Sequence, residues 1–174
     1  MSVVKPFKLL RLCFFLTISQ CGIAMASESP RTAAVFAFEF LDTGVASPDG
    51  QVSAAERQRL DRLTQQLRQD LAATGKFRIV STDSVAQEAK KINLFACEGC
   101  ELQLARTLGS DVVVTGFVHK VSNLILGIRV QVKDTQSGKL LAGGSVDIRG
   151  NTDESWSRGL KYLMRNRLIP QVAQ

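Results

Sequence analysis

Hydrophobic and polar positions alternate from Ala33 to Leu41, with Phe36, Phe38 and Phe40 on one side and Ala37 and Glu39 on the other. This period of two predicts a strand with an aromatic face. Two turn-rich clusters follow, Asp42-Thr43-Gly44 and Ser47-Pro48-Asp49-Gly50, and the period then lengthens. Ser53 and Glu56 have capping-box spacing, and Leu60, Leu63, Leu67 and Leu71 form one stripe among arginines and glutamines. The pattern predicts an amphipathic helix with its leucines in the core, ended at Thr74-Gly75.

Phe77 to Val80 reads as a short strand, and Ser84 to Lys91 as a weaker helix behind a Ser81-Thr82-Asp83 cap. A strand, a helix and a strand within some 50 residues form a crossover unit, so the first two strands are expected to be parallel. Asn93 to Gly99 is loop, and Glu101 to Leu108 is a brief helix stopped by Gly109. Three strands are then predicted, Val112 to Val118, Leu124 to Val132 and Leu140 to Ile148, joined by Ser122-Asn123 and by Asp134 to Gly138. Such tight links make them an antiparallel meander. In the middle strand Leu124, Leu126, Ile128, Val130 and Val132 share one face, while Arg129, Gln131 and Lys133 take the other. A final helix begins near Asp153, buries Trp156, Leu160, Leu163, Met164 and Leu168, and is expected to stop at Pro170. The fold class is α/β: a single small domain whose mixed sheet ends in a C-terminal antiparallel three-strand meander packed against helices.

The first 26 residues change the meaning of the composition. Lys5, Lys8 and Arg11 precede the apolar run Leu12 to Ile18, and Ala24-Met25-Ala26 precedes Ser27. This is the order of a secretory signal peptide, and the run is shorter than the roughly 20 residues of a bilayer span. Residues 1–26 are therefore expected to be a cleaved signal and residues 27–174 a single domain with no stable transmembrane segment. Cys21 is a lipidation candidate, but Gln20 before it is unfavourable. The full chain has 22 basic and 16 acidic residues. Cleavage removes three basic groups and no acidic one, so the charge falls from +6 to +3 and gives no reason to expect nucleic acid. The expected destination is the periplasm.

Two of the four cysteines lie in that leader, leaving Cys97-Glu98-Gly99-Cys100. In an oxidising compartment the pair reads as a disulfide closing a small loop. The alternative is thiol–disulfide exchange, with the first thiol activated at a helix start. The pair is also half of a four-cysteine metal site, but the single histidine, His119, would still leave such a site one ligand short. No serine has a base placed beside it and no glycine-rich phosphate loop is present, so no catalytic residue, metal or cofactor is assigned. Gly143-Gly144 inside a strand marks a bulge or close packing against a helix. The densest polar stretch runs from Asp147 and Arg149 through Asn151, Asp153 and Glu154 to Arg158. Capping of the last helix accounts for its middle, while Asp147, Arg149, Arg158, Lys161 and Arg165 are the candidate partner-binding residues.

The runs Lys120 to Leu126 and Gly144 to Trp156, with Asp134 before Ser137-Gly138-Lys139, resemble a family of small secreted proteobacterial proteins of unknown function. That family occurs in bacteria that oxidise alcohols with quinoprotein dehydrogenases. Cys97-Glu98-Gly99-Cys100 with Leu102, Ala105, Leu108-Gly109 and Asp111 is similar to it too. A more distant resemblance is to the α/β domain at the N-terminus of TolB and in curli-secretion lipoproteins of the CsgG type. It implies an envelope component rather than an enzyme. The expected function is that of a non-enzymatic periplasmic accessory or binding protein. Its expected partner is a periplasmic protein, either a quinoprotein alcohol dehydrogenase system or a transport or assembly component. The alternative is a redox protein using Cys97 and Cys100.

Overall fold

The computed structural model describes residue 1, residues 29–44 and residues 51–172. The expected leader, Cys21 and the Ser47-Pro48-Asp49-Gly50 turn lie outside the described residues. The strands are β1 Arg31–Val35, β2 Glu39–Asp42, β3 Phe77–Val80, β4 Val112–Lys120, β5 Ile125–Asp134 and β6 Leu140–Arg149. The helices are α1 Ala54–Ala73, α2 Ala86–Ala89, α3 Cys100–Thr107, α4 Asp153–Leu163 and α5 Ile169–Val172. The strands form one mixed sheet in the order β3-β1-β4-β5-β6, with β2 also on β4. The crossover and the meander are as expected: β1 is parallel to β3 and β4, and β4, β5 and β6 are antiparallel.

One face of the sheet carries the main core. Leu63, Leu67 and Leu71 of α1 and Trp156, Leu160 and Leu163 of α4 pack there on Val114, Val118, Ile128 and Val130. Each such side chain contributes about 1.5–3 kcal/mol on burial. Ser53 and Glu56 form the capping box that starts α1. Among the described residues the opposite face is covered over only part of its width, where Leu104 and Ala105 of α3, with Val85 and Leu94, cover Ala34, Phe36 and Val113.

The expected strand from Ala33 to Leu41 is two strands, both parallel to β4. The Phe38 N–H leaves the ladder and donates to Thr64 Oγ1 on α1 at 3.0 Å. The Phe38 ring then fills the space above Gly116, where a Cβ would lie 2.5 Å from the ring. The break shifts the alternation by one residue and so exchanges the faces. Phe36 packs in the smaller cluster, and Phe38 and Phe40 in the main core, so the three do not share a face. Leu124 precedes β5 and is 72% exposed, so it does not join the inward row.

The last helix also departs from expectation. Pro170 does not stop it but lies inside α5. Residues Met164–Leu168 form a π-helical turn, and the Ile169 N–H reaches back to the Met164 carbonyl. Proline cannot donate a hydrogen bond and crowds the preceding turn, and the wider spacing accommodates both effects. The glycine pair does mark close packing. A Cβ on Gly144 would lie 2.9 Å from Leu163 and 3.0 Å from the Cβ of Arg167. The bulge falls just before it, where the β5–β6 register skips Leu141.

Gly116→Val is expected to lower stability by about 1–3 kcal/mol through overpacking against Phe38. A lower denaturant midpoint in equilibrium unfolding checks this. An unchanged midpoint would show that Phe38 does not hold the break.

Candidate partner-binding face and the buried lysine beside it

The even-numbered side chains of β4, Val112, Val114 and Val118, enter the main core, and Lys120 ends that row on the same face. An ammonium there needs partners. Lys120 Nζ lies 2.9 Å from Glu56 Oε1 and 3.1 Å from Asp42 Oδ2, with both carboxylates almost wholly buried. Asn151 Nδ2 donates to the same Glu56 oxygen at 2.8 Å, and the Ser53 N–H to the other at 2.9 Å. The Trp156 indole donates to Asn151 Oδ1, and the ring stacks on Phe40. One cation thus joins β2, β4, the start of α1 and the turn into α4.

Burial alone would raise the Glu56 pKa, but the bonds from Lys120, Ser53 and Asn151 outweigh it and hold the group at about 2. Burial pulls Lys120 down, and Glu56 and Asp42 more than reverse this, so its pKa stands above 10.5. The tie therefore stabilises fully above the ordinary glutamate value of 4.5 and below the ordinary lysine value of 10.5. Its contribution is lost as pH falls from 4.5 towards 2, or rises through the raised lysine pKa. Lys120→Met takes the cation away from two buried carboxylates and is expected to cost about 3–5 kcal/mol near neutral pH. Unfolding of both proteins at pH 7 and pH 3 should show the difference shrinking at the lower pH. An equal difference at both would refute the charge pairing.

On the opposite face of the sheet the same strand ends present a different surface. Phe117 and His119 of β4 lie beside Glu39 and Leu41 of β2, followed by Ile125, Gly127 and Arg129 of β5 and Ser145, Asp147 and Arg149 of β6. Leu41 and Ile125 are 50% and 43% exposed. Asp147 lies over Gly127, its Oδ1 3.5 Å from where a Cβ would stand. His119 Nε2 is 2.8 Å from Thr43 Oγ1. The Arg129 guanidinium sits 5.9 Å from the Phe117 ring centre, close enough for a cation–π contact.

The loop from Asn93 to Gly99 walls this surface. Glu39 accepts the N–H groups of Leu94 and Phe95 at 2.6 and 2.8 Å, and the Phe95 ring centre lies 4.3 Å from that of Phe117. Burial raises the Glu39 pKa, and those two N–H groups partly offset the rise. Cys97 and Cys100 form a disulfide that closes the loop onto α3, with Cα atoms 5.8 Å apart. Glu101, buried behind it, lies 3.3 Å from Cys97 Sγ and takes Lys133 as its partner at 2.8 Å. Cys97, Cys100 and Glu101 could bring three ligand atoms together within 4.8 Å. In the disulfide the sulfurs are not thiolates, and Lys133 already holds Glu101, so the arrangement fits a fastened loop better than a metal site.

A four-residue disulfide loop contributes about 2 kcal/mol in the chain-entropy account. Replacing Cys97 and Cys100 with serine is expected to lower stability by that amount or less. It should also speed amide exchange at Leu94 and Phe95 without loss of sheet. Unchanged exchange at those amides would show that the disulfide does not hold the wall.

The five candidate partner-binding residues fall on two surfaces. Asp147 and Arg149 are exposed on the open sheet face, because Ile148 between them points at Gly159 of α4. Arg158, Lys161 and Arg165 are exposed on the outer side of α4, with Arg158 3.4 Å from Glu154. The sheet and helix layers separate the two groups. Sequence reasoning did not find Lys120, Glu39, Phe95 or Arg129. The available signal for Lys120 was its place at the end of a buried even-numbered row.

A crevice of about 310 Å³ lies where β1 and β3 end and their connections leave to opposite faces, the usual ligand position in such sheets. Arg68 there donates to the Val35 carbonyl at 2.9 Å and to Thr82 Oγ1 at 3.2 Å. Its lining carries Arg68 and Lys90 against Glu39 and Asp83, so the charges balance.

A small α/β domain with this mixed sheet defines a fold class that solved structures share. The C-terminal domain of LpoB from Salmonella enterica is similar at 19% identity, with a TM-score of 0.51 over 72% of this chain and 87% of that one. A lipoprotein from Neisseria meningitidis is similar at 18% identity, TM-score 0.48, over 71% of this chain and 84% of that one. TolB from Acinetobacter baumannii is similar at 14% identity, TM-score 0.41, over 80% of this chain and 29% of that one. The chain itself belongs to the DUF3280 family, described as proteins of unknown function (DUF2380), which matches residues 31–168. No curated protein sequence matches it.

Proposed function

We propose that this protein is a non-enzymatic periplasmic accessory protein that docks a protein partner on the open sheet face. The observation that carries this reading is the uncovered end of the sheet, where half-exposed Leu41 and Ile125 stand beside Arg129 and Arg149. Apolar side chains flanked by arginines are the composition of a protein-binding patch. With Glu39 taken up by the loop amides, two arginines stand against Asp147 and favour a partner with an acidic rim around an apolar centre. Phe95, fixed by Glu39 and the disulfide, gives the face a rigid wall. The partner is a component of a quinoprotein alcohol-oxidising system or of an envelope assembly, and the leader expected in residues 1–26 supports the periplasm as the meeting place. Arg158, Lys161 and Arg165 form a separate basic surface that this partner does not need.

Crosslinking in periplasm identifies the partner, and titration with the purified partner tests the face. Arg129→Glu with Ile125→Asp is expected to weaken binding at least about tenfold, since buried apolar and arginine anchors dominate such interfaces. Arg158→Glu with Arg165→Glu is expected to leave it within about twofold, as for charges outside an interface. The reverse pattern would move the site to α4. Capture that depends on a mixed disulfide with Cys97 would replace docking by thiol exchange.

A further inference from the structure

Among the described residues β6 ends the sheet and pairs on one side only, with β5. The Gly150 N–H reaches the Leu124 carbonyl, which fixes the phase of that ladder. The even-numbered residues of β6 bond to β5, and the backbone groups of Gly143, Ser145, Asp147 and Arg149 point outward. At Gly143 the outward groups are already masked. Gln171 accepts its N–H at 3.2 Å and donates to its carbonyl at 3.0 Å, taking the place of a neighbouring strand. No described side chain does this for Ser145, Asp147 or Arg149, and all three are exposed. Exposed edges of this kind template strand addition unless they are blocked.

We infer that the occupant of this edge is β6 of a second copy of this chain, added antiparallel about a two-fold axis at Ile148. The charges select that register. Centred on Asp147, the pairing sets aspartate against aspartate, and centred on Arg149 it sets arginine against arginine. Centred on Ile148, it puts Asp147 of each copy opposite Arg149 of the other, twice. Opposite charges directly across a strand pair attract and like charges repel. Such an interface is isologous and closes at two copies.

Tyr162 supplies an apolar contact beside the edge. On α4, Ser157 faces α1 through Gln66, and Tyr162 lies five positions on, about 140° round the helix. This places it on the flank away from α1, towards the free edge, and it is 48% exposed. The resulting dimer joins the two sheets and makes their open faces one continuous surface. It goes beyond the docking of a different protein, because it concerns self-association through the edge.

Three paired residues per copy, Asp147, Ile148 and Arg149, make a small interface, so a dissociation constant on the order of 100 μM is expected. Sedimentation equilibrium of the purified chain measures it. Asp147→Arg and Arg149→Asp, each alone, are expected to weaken dimerisation about tenfold or more. An equimolar mixture of these two variants should form a heterodimer as tight as the wild-type dimer, since every cross-strand pair is then opposite in charge. That recovery also shows that both variants are folded. A chain monomeric up to about 1 mM, single variants that dimerise as well as wild type, or a mixture without recovery would overturn the inference. The readout uses no partner, so a failed docking test leaves it standing, and its failure leaves the docking face standing.

Discussion

The ammonium of Lys120 is the interaction on which the working end of this domain depends. It sits where an apolar row of β4 would otherwise continue, and it is held there by Asp42, Glu56 and, through Glu56, Asn151. Each partner comes from a different element. Without the tie, β2 would lose its ionic link through Asp42, and Glu56, which Asn151 of the turn into α4 also holds, would lose its cation. Replacing such a group with an apolar side chain can be neutral only if the carboxylates go as well. The tie thus fixes a specific arrangement more than it adds net stability.

The open face depends on that arrangement. Leu41 lies one residue from Asp42, and His119 one from Lys120. Side chains alternate along a strand, so the residues that lock the interior and those that meet solvent are chain neighbours with opposite directions. The second support comes from the loop that carries Phe95, pinned by Glu39 on one side and closed by the disulfide on the other. The two supports approach the face from different layers, and both rest on carboxylates accepting hydrogen bonds away from water.

Much of this was legible in the residues. Helix α1, its capping box, the crossover and the meander follow from periodicity and turn chemistry, which are local. The disulfide was expected from its spacing and compartment. The break at Phe36 to Phe38 was not legible, because it depends on Gly116 and Thr64, each far away in sequence. Pro170 misled for a similar reason: a proline signals a helix stop only if the preceding turn stays regular, and the π-helical turn at Met164–Leu168 makes room for it. The candidate site was half legible. Asp147 and Arg149 share one strand face, as alternation implies, but a row of polar residues in sequence gave no sign that Arg158, Lys161 and Arg165 lie on the other side of the sheet.

The most direct test of the central claim is a carbon-detected NMR titration of the Glu56 carboxyl in the folded protein. A lysine-paired, hydrogen-bonded carboxylate is predicted to titrate at about 2. A midpoint at or above the ordinary 4.5 would mean that Lys120 does not hold it, and the account of how this end of the sheet is fixed would fail.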